Sequence, residues 1–401
     1  MQGKKLLHSI RLTNLLSYGS EGVTLELEPL NVLIGPNASG KSNLIEAISL
    51  LAAAPRDLLK PLRQGGGTAE WIWKGSEQAE SASLEAMVEY RDVLLEYGLS
   101  FTAIKSRFAL RDEFVRLSVS HGSKPLRPNT NVYGYGQGMP KALTRVKSKD
   151  GSPGIIVNSA LEEVSSEQSI LSQLKGADTY PEVTYLGNAF AGIAFFREWN
   201  MGRFAASRLP QRVDLPSDFL LEDASNLGLV LSDLLSRRAT KRVIVEYFQQ
   251  FYEGIEDITT RVQGGAIEVF VHERGLDEAI SASRLSDGTL HYLCLLVILL
   301  HPEPPPLICI EEPELGLHPD ILPKIADLLI DASQRTQLIV TTHSETLVSR
   351  LSEIPEAVVV CERDEQGTHL RRLQPDKLRM WLDKYMLGEL WRMGEIGGNR
   401  W

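Results

Sequence analysis

Short apolar runs at regular intervals set the outline of this chain. Residues 8–34 alternate in β-like runs (HSIRLTNLLSYG, then VTLELEPLNVLI) divided by Gly19 and Gly22, with an acidic, half-exposed strand at 24–28. Residues 30–34 (LNVLI) are apolar throughout and precede a helical pattern from Lys41 that ends before Pro55. A Gly65–Gly67 loop then leads to two strand-like segments at 83–91 and 99–104, while residues 108–118 fit a strand or a helix. Residues 121–154 are rich in Gly, Pro, Asn, Ser and Lys, which predicts a mobile loop or an exposed hairpin. Helical periodicity dominates 162–254 (EQSILSQLKG, NAFAGIAFFREWN, NLGLVLSDLLSRRATKRVIVEYFQQFYEG) and predicts a helical subdomain. Residues 258–272 alternate cleanly about a Gln-Gly-Gly turn and predict a hairpin. Helix, strand, helix and strand follow to about residue 361. There is no internal repeat, and no heptad run is long enough for a coiled-coil arm.

Composition narrows the class. The 401 residues suffice for one large domain with an insertion or for two or three subdomains. A hydrophobic content of 43% and a charged content of 23% are ordinary for a globular protein. The formal net charge of −10 supplies no global basic field, so any nucleic-acid contact has to come from local patches. Two such patches exist, Lys141, Arg145, Lys147 and Lys149 in the loop region and Arg237, Arg238, Lys241 and Arg242 on a helix. Both read first as solvated faces. Cys294, Cys309 and Cys361 each sit in an apolar run, which predicts buried thiols and not a disulfide or metal framework. The N-terminus is broken by His8, Arg11 and Asn14 and makes a poor signal peptide, and the longest apolar stretch, 292–300, is too short to span a bilayer. The expectation is a cytoplasmic protein.

The chemistry is concentrated at strand ends. Residues 35–43, GPNASGKSN, follow the apolar strand at 30–34 and open a helix, with the G-x-x-x-x-G-K-[ST] spacing of a phosphate-binding loop. Gly35 and Gly40 let successive N–H groups turn round a phosphate chain. Pro36, Asn37, Ala38, Ser39 and Asn43 complete the loop, Lys41 reaches the β- and γ-phosphates, and Ser42 holds Mg²⁺. These residues predict a nucleoside triphosphate site. Residues 307–312, LICIEE, form an apolar strand, expected beside the loop strand, that ends in two carboxylates. Glu311 stands where an acid enters the Mg²⁺ shell, and Glu312 where a carboxylate accepts a proton from attacking water. Residues 338–344, LIVTTHS, are a second buried strand, one βαβ unit later, whose tip carries His343 as a γ-phosphate sensor. In RLSDGTLHYLCLLVILL (284–300), Ser286 reads as the N-cap of an apolar helix.

The order of these elements resembles the ABC-type ATPases of the SMC, RecF and OLD group, the AAA-family branch found in bacterial defence islands. IRLTNLLSYG is similar to that group's opening strand, with Leu15 where an aromatic is common. GPNASGKSN resembles its Walker A loop, RLSDGT its signature with Asp287 in place of the first Gly, LICIEEPELGLHP its Walker B and D-loop, and TTHS its His switch. Glu311 departs from the usual Asp, which leaves direct or water-mediated Mg²⁺ contact open. Gln168 is the candidate for the family's metal-contacting Q-loop glutamine, with Gln173 as the alternative.

The resemblance implies an α/β P-loop NTPase of ABC-ATPase type, a two-lobed mixed sheet with an inserted helical subdomain. The expected division is an ATPase lobe at 1–160 with an insert at about 121–154, a helical subdomain at 161–255, and a second lobe at 256–401. It implies ATP and Mg²⁺ as ligands and a homodimer in which Ser286 and Gly288 touch the γ-phosphate in trans. It further implies a separate effector, a nuclease, in an anti-phage system of the Septu, PARIS or Menshen kind. The 57 or so residues after His343 are too few for the nuclease domain of the OLD group, and the segment VVVCERDE reads as the end of the sheet. The tail WLDKYMLGELWRMGEIGGNRW reads as a partner-docking element or one that folds back. A RecF-like DNA-repair ATPase and an ATP-gated scaffold with negligible turnover are the competing readings.

Overall fold

Strands that are apolar on both faces belong in the middle of a parallel sheet, and four such runs in this chain build the layer that organises the fold. The computed structural model describes residues 3–75, 79–91, 93–118, 130–136, 139–147, 153–160, 165 and 167–398. Strands β1 (Leu7–Thr13), β2 (Val23–Glu26) and β3 (Leu30–Ile34) lead into helices α1 (Lys41–Ala53), α2 (Leu59–Gln64) and α3 (Thr68–Trp71). Strands β4 (Ala82–Tyr90), β5 (Val93–Ile104), β6 (Arg107–Ser118), β7 (Thr130–Gly136), β8 (Met139–Lys147) and β9 (Pro153–Ala160) follow. Then come α4 (Ile170–Gln173), α5 (Pro181–Ala191), β10 (Ala194–Phe196), β11 (Gln211–Arg212), α6 (Leu227–Ser236) and α7 (Arg238–Phe251). Next are β12 (Ile255–Gln263), β13 (Ala266–Glu273), β14 (Ile280–Ser281), α8 (Asp287–Leu299), β15 (Leu307–Glu311) and α9 (Leu322–Ala332). The chain closes with β16 (Gln337–Thr341), α10 (Glu345–Arg350), β17 (Val358–Asp364), β18 (Gly367–Arg372), α11 (Pro375–Leu382) and α12 (Leu387–Arg392).

The central sheet has the order β10-β15-β16-β3-β17-β18. It is parallel except for β18, which returns antiparallel from β17. An eight-stranded antiparallel sheet has the order β2-β1-β4-β5-β6-β7-β8-β9, and a smaller one runs β11-β13-β12 with β14 on β13. Alternation along the central strands divides the interior in two. Leu30, Val32 and Ile34 of β3, with Ile308 and Ile310 of β15, face a core built on α6, α7, α8 and α9. Leu33, Leu307, Cys309 and Ile339 face the other way, toward α1 and the antiparallel sheet. Helix α8 is buried from Leu290 to Leu299 without interruption, which is why it is apolar on every side. Gln337 joins two sheets: its amide oxygen accepts from Leu6 and Leu7 N–H at 3.0 and 2.9 Å, and its nitrogen donates to the Leu7 and Glu28 carbonyls.

Several expectations change. The acid-bearing β15 is not next to β3; β16 lies between them, so the His343 strand is the one that flanks both. Residues 108–118 resolve as strand. In NAFAGIAFFREWN the helix stops at Gly192, and Ala194–Phe196 pairs in parallel with β15, because a buried aromatic run satisfies its backbone there. Residues 161–255 thus include β10 and β11 along with helices, and the stretch is threaded through the sheets instead of standing as a helical body. Within 121–154, β7 and β8 pair as a hairpin; 121–129, 137–138 and 148–152 lie outside the described residues. Lys141, Arg145 and Lys147 fall on β8, and Lys149 is outside the described residues. The second basic cluster is answered by acids: Arg237 by Asp233, Lys241 by Asp257, Arg242 by Glu246. The tail folds back, with Leu387 and Leu390 of α12 buried against α10. The three cysteines are free and buried, and among the described residues no helix is long and apolar enough to cross a membrane.

One buried carboxyl joins the antiparallel sheet to the segment before α5. Glu113 of β6 accepts from Tyr97 Oη (2.8 Å), Ser169 Oγ (2.5 Å) and the Ile170 N–H (2.8 Å). Burial dominates these three donors and pushes the carboxyl up from 4.5 to about 7. The folded protein therefore holds one more proton than the unfolded chain between those values. The group's contribution to stability is full below 4.5 and lost as pH rises through 7, a change of about 3 kcal/mol at about 1.4 kcal/mol per pH unit. Glu113→Gln removes the titration: its oxygen can still accept from the Ile170 N–H, while its nitrogen would donate to the Tyr97 and Ser169 hydroxyls. Denaturant melts from pH 4.5 to 8 are expected to show the wild type losing about 3 kcal/mol relative to this variant; parallel profiles would mean that the carboxyl stays ionised.

Candidate nucleotide site

The loop between β3 and α1 turns where its glycines allow. Gly40 has φ +102°, and a Cβ there would lie 2.3 Å from Thr368 Oγ1. The Thr368 hydroxyl, at the start of β18, donates to the Ser39 carbonyl at 2.9 Å and shares a second hydrogen bond with Ser17 Oγ at 2.7 Å, so the loop is clamped from outside the motif. Ala38 also adopts a left-handed conformation, φ +65°. The Lys41 ammonium donates to the Gly35 and Pro36 carbonyls at 2.9 and 3.0 Å, which folds it over the loop. Burial is the main influence on Lys41 and pulls its pKa down, opposed by the carboxylates of Glu312, Glu311 and Glu314. Ser39 Oγ is buried without a hydrogen-bond partner. Asn37 is exposed, and Asn43 lines a pocket of about 370 Å³ beside the loop with Leu16, Ser17, Trp73 and Arg363.

The carboxyl ends of β15 and β16 bring the acids and the histidine to this loop. Ser42 Oγ donates to Glu311 Oε2 at 2.7 Å. Burial pushes the Glu311 carboxyl up, and the Ser42 hydroxyl and the Arg197 charge oppose it. A hydroxyl and one carboxylate are the sparse oxygen set that Mg²⁺ accepts while keeping most of its waters, so the residues present fit that ion. Glu312 leaves the strand with φ +44°, a left-handed conformation that costs a non-glycine residue on the order of 1 kcal/mol or more and marks an imposed geometry. Its N–H donates to the Thr341 carbonyl at 3.0 Å, fixing the turn that projects the side chain. His343 Nε2 lies 3.6 Å from Glu312 Oε1. Burial and the charge of Lys41 lower the His343 pKa, and the Glu312 carboxylate opposes them.

Sequence reasoning passed over four residues here. Glu314 Oε1 accepts from Thr342 Oγ1 (2.8 Å) and from the His343 N–H (2.6 Å), so a third acid in EEPEL holds the histidine turn. Its position two beyond Glu312 was the available signal. Trp199 donates its indole N–H to the Glu311 carbonyl at 2.7 Å and packs on His291 of α8, ring centroids 4.1 Å apart. His291 in turn contacts the Leu315 carbonyl at 2.8 Å, and burial lowers its pKa to about 4. Arg208 is bonded to Asp287. Nothing in the local sequence around Trp199 or Arg208 signals these contacts.

The signature-like turn lies at the start of α8. Ser286 Oγ accepts from the Thr289 N–H at 3.0 Å, the N-cap that its sequence predicts. Gly288 has the Gly316 carbonyl over it, 2.8 Å from where a Cβ would sit, so the turn touches the loop after the acids. Gln168 is exposed at the head of α4, and no described hydrogen bond joins its side chain to Ser42 or Glu311. Gln173 spends its amide on the local backbone, donating to the Gln168 and Ser165 carbonyls and accepting from Ser165 N–H.

Two solved structures share the fold. An SMC head bound to the C-winged helix domain of ScpA aligns with a TM-score of 0.58 at 14% identity, over 93% of this chain and 99% of that one. The Smc head with an extended coiled coil bound to the C-terminal domain of ScpA, from Pyrococcus furiosus, aligns with a TM-score of 0.54 at 13% identity, over 94% and 99%. No curated protein matches the chain. The family described as "AAA domain, putative AbiEii toxin, Type IV TA system" matches residues 30–117 and 154–349. With the phosphate loop, paired acids and histidine standing on one edge of a sheet whose fold is that of the SMC heads, the chain belongs to this AAA-domain family.

Proposed function

We propose that this protein binds ATP with Mg²⁺, closes as a homodimer around two nucleotides and hydrolyses them, gating a separate effector in a defence system. The observation that carries the reading is the convergence of Ser42 with Glu311 and of Glu312 with His343 around one phosphate loop. The loop N–H groups and Lys41 bind the phosphates. Ser42 and Glu311 hold Mg²⁺, which when bound offsets phosphate charge. Glu312 takes the proton of the attacking water, and neutral His343, held by Glu314, donates to the γ-phosphate oxygen. The pocket between Asn43 and Trp73 receives the nucleoside, and Arg363 at its rim supplies a cation for the base face.

Ser286 and Gly288 serve the nucleotide of a second copy. Exposed apolar side chains beside the turn, Phe204 (84% exposed) and Leu315, support burial of this face in a dimer. The exposed patch of Met380, Trp381, Tyr385, Met386 and Met393 on the tail supports effector docking. The similar SMC head is bound to a ScpA winged-helix domain, which supports a partnered setting, and the matched family is described as a putative AbiEii toxin of a Type IV TA system, which supports a defence-type one.

Solution mass with ATP and Mg²⁺ tests the dimer. Glu312→Gln is expected to accumulate a dimer and to lower ATP turnover by about 10²-fold or more, as expected on losing a general base, and Ser286→Arg to remain monomeric with ATP still bound. If mass ignores nucleotide in both variants and the wild type, the shared-site reading is wrong. Glu314→Ala is expected to lower kcat roughly tenfold while leaving ATP affinity within about twofold, because it removes the oxygen that holds the His343 turn without touching the loop. A change confined to affinity would remove His343 from the catalytic step.

A further inference from the structure

The turn at the start of α8 carries a charge of the wrong sign for the task given to it above. Asp287 is the first residue of α8, directly after Ser286, and its side chain is 71% exposed. An anion at this position repels an approaching triphosphate, against the attraction of the helix N-terminus. The same carboxylate is met from beneath by Arg208, whose side chain is 5% exposed. Arg208 comes from a short turn, Ala206–Arg208, in the segment between β10 and β11. Its Nε donates to the Met201 carbonyl at 2.8 Å, its Nη1 to the Leu285 and Ala282 carbonyls at 2.6 and 3.3 Å, and its Nη2 to Asp287 Oδ1. Three of these partners are neutral carbonyls, so Asp287 is the one counter-ion among the bonds described, and the guanidinium is fixed in place whether or not a ligand approaches.

We infer that Arg208 is a positioning residue that neutralises Asp287, so that the α8 turn can receive the γ-phosphate held by a second copy. This rests on the shared-site reading of the preceding section. The role is electrostatic: the buried cation cancels the exposed anion, and the Ser286 hydroxyl and the first N–H groups of α8 then face the phosphate without net repulsion. It also accounts for an acid being tolerated at a phosphate-facing position.

The test measures the ATP-dependent dimerisation constant in the Glu312→Gln background by solution mass, with ATP affinity of the monomer and thermal melting measured alongside. Arg208→Gln is expected to weaken dimerisation at least tenfold and to leave monomer ATP affinity within about twofold, since the phosphate loop is untouched. Adding Asp287→Asn to Arg208→Gln is expected to restore dimerisation to within about threefold of the background, because the anion that needed neutralising is gone. A purely structural arginine would not be rescued this way, as its carbonyl partners stay unpaired in both variants. The inference is overturned if Arg208→Gln dimerises normally, or if the double variant is no better than the single. Should Arg208→Gln not fold, Arg208→Lys keeps the charge and is expected to dimerise within about threefold of the background; a tenfold loss there overturns the inference. If the Glu312→Gln background itself gives no ATP-dependent dimer, the shared-site reading fails first, and this inference falls with it.

Discussion

The geometry of the site depends on one arrangement, the carboxyl edge of three neighbouring parallel strands. Parallel strands deliver all their carboxyl ends to the same side, and loops leaving that edge are the ones free to reach a common ligand. Here β3, β16 and β15 end in register, with Thr341 opposite Glu311 on one side and Leu33 on the other. That register lets Ser42, the second residue of α1, reach Glu311 across 269 positions of sequence with a 2.7 Å hydrogen bond. The alternation that buries Leu33 and Cys309 on one face and Val32 and Ile310 on the other locks the register, because a one-residue slip would exchange the two cores. The site is thus as precise as the packing behind it.

The residues of this site were legible in the chain because each carries its own local signal. The phosphate loop has fixed spacing, the acids and the histidine terminate apolar runs, and Ser286 precedes a helical pattern with the chemistry of an N-cap. The sheet order was less accessible. Spacing predicts that β15 and β16 are neighbours, but not that β16 separates β15 from β3, since strand order is decided by how crossovers pack and not by any local run. The strands within 161–255 were not legible for a related reason. Three residues of β10 are too short to show a period, and only pairing with Ile308, Cys309 and Ile310 makes them a strand. Trp199, Arg208 and Gln337 were invisible because the groups they join, main-chain carbonyls and N–H groups and the Asp287 carboxylate, lie mostly far away in sequence.

Buried polar groups in this protein do the joining that apolar contact cannot specify. Gln337 fixes β1 against the central sheet, Glu113 fixes the start of α4 against β6, and Thr368 fixes β18 against the phosphate loop. Each meets more than one polar group with one side chain, which gives direction to interfaces whose apolar surfaces alone would tolerate sliding. Those joints all lie between elements contributed by distant parts of the chain.

The close approach of Gly288 to the Gly316 carbonyl has a mechanical meaning. With no side chain between them, and with His291 bonded to Leu315 one turn further along, the head of α8 and the loop behind the acids form a single stiff lever. Rotating either half alone would break these contacts, so a tilt imposed on Ser286 is expected to be felt in the backbone that follows Glu312. Bulk added at Gly288 would pry this lever apart, and its two ends would then answer to their surroundings separately.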